Sequence, residues 1–215
     1  MTLLHYACQN RNLDLLQYLV KLDKIDLNSR NDKNETLLHI TCEYGYLEST
    51  RYLISLNKID ITSKNILNAT IFHNACQNDN LELIRYLVSL DIFDINAKID
   101  DGQTPLYFAI KNKKLPIIEY LTSLPGINLK ITDNENKTYL HQSAECDKNE
   151  PITIYLLSLN QIPINAKDES GRTVLHYACE SKSLSLIKNL VKQPEIDVTA
   201  TDEDKKNILH IACHA

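Results

Sequence analysis

One phrase, repeated at a fixed interval, constrains this chain more than anything else in it. TLLHYA starts at Thr2, TLLHIT at Thr36, TIFHNA at Thr70, TPLYFA at Thr104, TYLHQS at Thr138, TVLHYA at Thr173 and NILHIA at Asn207, at spacings of 34, 34, 34, 34, 35 and 34 residues. A chain that repeats itself at such a period builds one supersecondary unit many times, and stacked neighbours must supply the core that no unit can bury alone. Seven starts predict six full units and a C-terminal stub, arranged as a single array over 1–215.

Within each unit the pattern is helical twice. The Thr of the phrase precedes an apolar helical run and can accept from an N–H of the first turn, and Pro105 sits at the favoured first position. A second run follows, as in Leu81, Ile84, Leu87 and Val88, with fresh starts marked by Pro116 and Pro151. A polar stretch then leads to the next Thr and is predicted to form a hairpin loop. Two residues before each Thr stand Asn34, Asn68, Gly102, Asn136, Gly171 and Lys205, of which the first five tolerate a left-handed backbone and Lys205 departs from that chemistry. The extra residue of each unit falls between helix two and the loop, at Asp23, Asn57, Asp91 and Pro125-Gly126, and an insertion near Asp147–Glu150 accounts for the spacing of 35.

The phrase resembles the ankyrin-repeat family, whose T-P-L-H-x-A signature recurs at about 33 residues. All seven starts carry it in register, and the repeat at Thr104 departs from it with Tyr107 in place of the histidine. The resemblance implies an all-α solenoid of helix-turn-helix units joined by β-hairpin loops. It further implies a non-catalytic scaffold that binds a partner protein through hairpin tips and the concave side of helix one, and histidines that bridge their own turn to the adjacent loop.

Composition narrows the function. With four glycines, neither a dinucleotide-binding GxGxxG loop nor a GxxxxGK[ST] phosphate loop can be written. No GxSxG elbow is present, so no enzyme is expected. The 23 basic residues against 28 acidic ones, a net charge of −5, argue against nucleic-acid binding. No run reaches membrane-spanning length and the N-terminus lacks a secretory pattern, which places the protein in the cytoplasm by expectation. No cofactor, metal or small-molecule substrate is expected, and the protein partner is unknown.

Three recurring residue types invite other readings. Cys8, Cys42, Cys76, Cys179 and Cys213 share one register position suited to buried free thiols, whereas Cys146 lies two residues further on and is the thiol with potential reactivity. Histidine and cysteine recur three apart, but zinc needs four ligands at about 2.0–2.3 Å and neighbouring helices stand about 8–10 Å apart. The series Tyr18, Tyr52, Tyr86, Tyr120 and Tyr155 lacks the basic groove of a base-stacking ladder and reads as packing.

Partner recognition in a solenoid belongs where units differ. The candidate positions are Arg30, Lys33, Lys64, Lys98 and Asp101 on the tips, with Glu43, Tyr44, Gln77, Asn78, Lys111 and Asn112 on helix one. Ile66 and Leu67 stand out, since they put two apolar side chains on a tip where most others carry charge, one unit from Tyr44. Neither terminus reads as a polar cap, so the chain is expected to be a fragment of a longer array or to self-associate end to end. The alternatives are the regulatory or targeting segment of a larger enzyme or channel, and a truncated fragment without its own partner.

Overall fold

A computed structural model describes residues 2–22, 25–145 and 149–214, with side chains up to residue 212. Its helices pack into two compact bodies, 1–123 and 124–215. The first contains α1 (Leu3–Gln9), α2 (Leu13–Val20), α3 (Leu37–Glu43), α4 (Leu47–Ser55), α5 (Ile71–Ala75), α6 (Leu81–Ser89), α7 (Pro105–Lys111) and α8 (Leu115–Ser123). The second contains α9 (Tyr139–Ala144), α10 (Glu150–Ser158), α11 (Val174–Glu180), α12 (Leu184–Leu190) and α13 (Ile208–His214). Each odd-numbered helix from α1 to α11 begins right after its repeat Thr, and the even-numbered helix that follows folds back on it.

Register explains the packing. Leu4, Leu38, Phe72, Leu106, Leu140 and Leu175 occupy one position of the phrase, and all are at most 1% exposed. Isolated helices of five to nine residues are too short to hold in water, so these owe their existence to burial against neighbours and to their ends. Thr2 and Thr104 accept from the N–H of the residue three further on, at 3.4 Å in both cases. The turns between helix two and the loop are closed by left-handed residues at Asn57, Asp91, Gly126 and Asn160. This is where the sequence places its extra residue; Asp23, and Asp147 and Lys148 of the 147–150 insertion, lie outside the described residues.

The loops are where the architecture departs from expectation. No strand is present among the described residues, and one isolated antiparallel bridge, Lys64 with Thr70, stands where hairpins are predicted. Each tip is closed instead by a short turn in which Asn31, Asn65, Ile99, Asp133, Asp168 and Asp202 donate N–H bonds of 2.9–3.1 Å to the carbonyls of Glu35, Ala69, Gln103, Lys137, Arg172 and Lys206. At five of the six tips the first residue is Asn or Asp, whose side-chain oxygen also accepts tip N–H groups, such as those of Lys33 and Glu35 on Asn31 at 2.9 Å. That side chain satisfies tip N–H donors that would otherwise need another partner. The residue two before Thr is left-handed at every tip, Lys205 included, with φ of 61°.

Candidate protein-interaction surface

The tips are held by histidine. The backbone N–H of each repeat Thr donates to Nδ1 of His5, His39, His73, His141 or His176 at 3.0–3.2 Å. The opposite nitrogen reaches a carbonyl of the next loop: Glu35 for His5, Ala69 for His39, Ala97 for His73, Ala166 and Arg172 for His141, and Lys206 for His176, over 3.0–3.4 Å. An amide can only donate and a carbonyl can only accept, so each ring is neutral with its proton on Nε2. Burial pushes these imidazoles below their ordinary value, His73 to about 4. At the repeat of Thr104 the ring of Tyr107 lies edge-on to Phe108.

The thiols of Cys8, Cys42, Cys76 and Cys179 are buried and free, and desolvation raises all four, Cys8 and Cys42 to about 12. They are packing groups rather than nucleophiles. Cys146 and the side chain of Cys213 lie outside the described residues.

On this scaffold the tip of 65–69 presents Ile66 and Leu67 outward, 64% and 50% exposed. Their backbone is fixed: Ile66 N–H donates to the Lys33 carbonyl at 3.0 Å, Leu67 N–H to Asn65 Oδ1 at 2.9 Å, and the Leu67 carbonyl accepts from Asp100 N–H at 3.2 Å. One loop away, Asn31, Asp32, Lys33, Glu35, Ile40, Glu43, Tyr44 and Gln9 line a recess of about 230 Å³. Tyr44 stacks on Tyr46 at 5.6 Å, and its hydroxyl accepts from Gln9 Nε2 at 3.1 Å. Glu43 is half-buried, and desolvation, with Glu35 adding to it, raises its carboxyl above the ordinary range against the opposing charge of Lys33.

The other candidates divide. Lys64, Lys98, Asp101 and Lys111 are exposed, and Gln77 is half-buried. Arg30 is engaged within the chain, its guanidinium donating to the carbonyls of Asn34 and Lys64 and to Ser63 Oγ at 3.0–3.1 Å. Asn78 bridges the Cys42 and Ala75 carbonyls at 2.6 and 2.8 Å, and Asn112 donates to the Phe108 carbonyl at 2.9 Å. The structure therefore gathers Lys33, Glu43 and Tyr44 at one recess with Ile66 and Leu67 on the adjoining tip, and leaves Lys98, Asp101, Lys111 and Asn112 around the next tip and α7. Sequence reasoning missed Gln9 and Tyr46, whereas Glu35 is legible by register as a tip position. In the units of Thr138 and Thr173 the residue before the repeat Thr and the residue seven after it form an ion pair, and comparing that pair from unit to unit singles out Glu35.

Two members of the tyrosine series receive a guanidinium from the preceding unit, Arg51 over Tyr86 at 5.0 Å and Arg85 over Tyr120 at 4.5 Å; Arg11 lies over Tyr46, outside the series, at 5.6 Å. Tyr18, the first of the series, is 63% exposed.

Among the described residues no helix is long and apolar enough to cross a membrane. The crystal structure of the human ASB11 ankyrin repeat domain superposes on 99% of this chain and 92% of its own with a TM-score of 0.82, at 18% identity, which establishes a shared fold. No curated protein matches the sequence. The family model described as ankyrin repeats in three copies matches three times, over 1–65, 59–133 and 124–202. With matches over nearly its whole length, and with the threonine–histidine bridges in place at the repeat starts, the chain belongs to the ankyrin-repeat family.

Proposed function

We propose that this chain is a non-catalytic scaffold, built as one array from the seven repeat starts, that binds an intracellular protein partner through the Ile66–Leu67 tip and the neighbouring helix-one face at Glu43 and Tyr44. Ankyrin repeats generally serve as protein-interaction scaffolds. The observation that carries the reading here is the exposure of two adjacent apolar side chains on a tip whose backbone is pinned by hydrogen bonds. A pre-ordered apolar pair in a polar rim can anchor a partner with little ordering cost.

The test is affinity capture from lysate with the wild-type chain and with Ile66→Asp/Leu67→Asp, after circular dichroism and light scattering have shown both to be folded and monodisperse. A protein retained by the wild type and lost from the variant supports the reading. Equal retention by both moves the anchor away from this tip.

A further inference from the structure

The repeat register supplies an internal control for the recess beside Tyr44. Seven residues after the repeat Thr stands a glutamate in three units, Glu43, Glu145 and Glu180; the residue before that Thr is Glu35, Lys137 and Arg172 respectively. In the latter two units the pair is an ion pair: Lys137 Nζ lies 3.1 Å from Glu145 Oε1, and Arg172 bonds Glu180 through its guanidinium. In the unit of Thr36 the cation is replaced by a carboxylate. Glu35 is 7% exposed, and its Oε2 accepts from Asn31 Nδ2 at 2.7 Å. Among the described residues, no lysine or arginine lies within 4.0 Å of the Glu35 or Glu43 carboxylate oxygens. Among the described residues of the lining, Lys33 is the cation that stands beside Glu35 and Glu43.

We propose that this recess takes a lysine or arginine side chain of the partner polypeptide, supplying in trans the cation that Lys137 and Arg172 supply within the chain, while Ile66 and Leu67 take an apolar side chain of the same segment. The inference rests on the binding role proposed above and adds the chemistry of the partner. Charge complementarity selects a basic occupant, because a buried and a half-buried carboxylate that share one neighbouring cation, Lys33, gain from a second. The aromatic wall fits the same choice, since the Tyr44–Tyr46 stack already receives the Arg11 guanidinium on Tyr46. A polypeptide, rather than a small cation, is indicated by the apolar tip joined to the recess through the Ile66–Lys33 backbone bond.

The probe is a displayed library of random linear peptides selected on the full chain, with selected peptides then titrated by fluorescence anisotropy against wild type, Ile66→Asp/Leu67→Asp, Glu43→Gln and Glu35→Lys. Glu35→Lys recreates the Lys137–Glu145 pairing to fill the recess from within, with circular dichroism checking that the variant is folded. Selected peptides are expected to carry a basic residue next to an apolar one, and to bind Glu35→Lys roughly 10- to 100-fold more weakly, the range of a charge-assisted bond. Replacing their basic residue with norleucine should cause a similar loss in the wild type and almost none in Glu35→Lys. Peptides that depend on Ile66 and Leu67 but lack a basic residue, or bind Glu35→Lys as tightly as wild type, overturn this inference and leave the docking role standing. A selection that yields no tip-dependent peptide overturns both.

Discussion

At the scale of single residues, the histidines tie stability to pH. Their folded values are depressed below an unfolded value near 6.5, so the unfolded chain binds more protons as the solution acidifies. Their contribution is therefore complete above about pH 6.5 and lost as pH falls towards about 4. For His73 alone the linked loss is about 3 kcal/mol. Urea unfolding at about pH 7.5 and about pH 4.5 should show the drop, and His73→Gln should flatten it. Glu43 has the opposite sign, because its raised carboxyl disfavours the folded state as pH rises through its titration. Lys205 gives a second residue-scale test: with φ of 61° and an exposed side chain, Lys205→Gly should stabilise its tip by about 1 kcal/mol, read as slower hydrogen exchange over 202–207. The left-handed tips were legible in the sequence because Asn and Gly there report backbone need. Lys205 shows the register imposing the same conformation on a residue that gave no such signal.

At the scale of elements, the turns and the helix-two stacks carry the strain and the cohesion. A Cβ on Gly45 would meet Asn78 Oδ1 at 2.8 Å with φ at +72°, whereas one on Gly126, at +86°, would meet nothing within 4 Å. Both Ala variants bear the left-handed backbone cost of about 1–2 kcal/mol, and Gly45→Ala should exceed Gly126→Ala in urea unfolding because Asn78 must also give way. The Arg51–Tyr86 stack should show a coupling of about 0.5–1 kcal/mol in a double-mutant cycle with Arg51→Met and Tyr86→Leu. The sequence displayed the tyrosines but not their partners, since arginine and ring stand 35 residues apart on different helices. Only stacking of successive units makes that separation a contact.

At the scale of the whole molecule, charge sets how partners arrive. A net charge of −5 attracts a basic segment from a distance, and the recess then concentrates that attraction at one place. Association of the selected basic peptides should slow as salt rises from about 50 to about 500 mM, with dissociation changing less, as stopped-flow measurement would show.

The repeat period, the helix starts and the burial of one face were determined by the sequence itself. Each follows from local rules, such as apolar spacing, a threonine before a run, or a left-handed residue before the threonine, and these repeat until chance agreement is excluded. Tertiary structure decided which polar side chains are spoken for. Arg30 and Asn78 look free in the sequence and are bound to neighbouring backbone, whereas Glu35, at the edge of a loop, is buried where its charge raises the Glu43 carboxyl. The physical reason is that the energy of a charge depends on what lies within a few ångströms of it. In a stacked array those neighbours come from residues about thirty positions away, a proximity that no local pattern records.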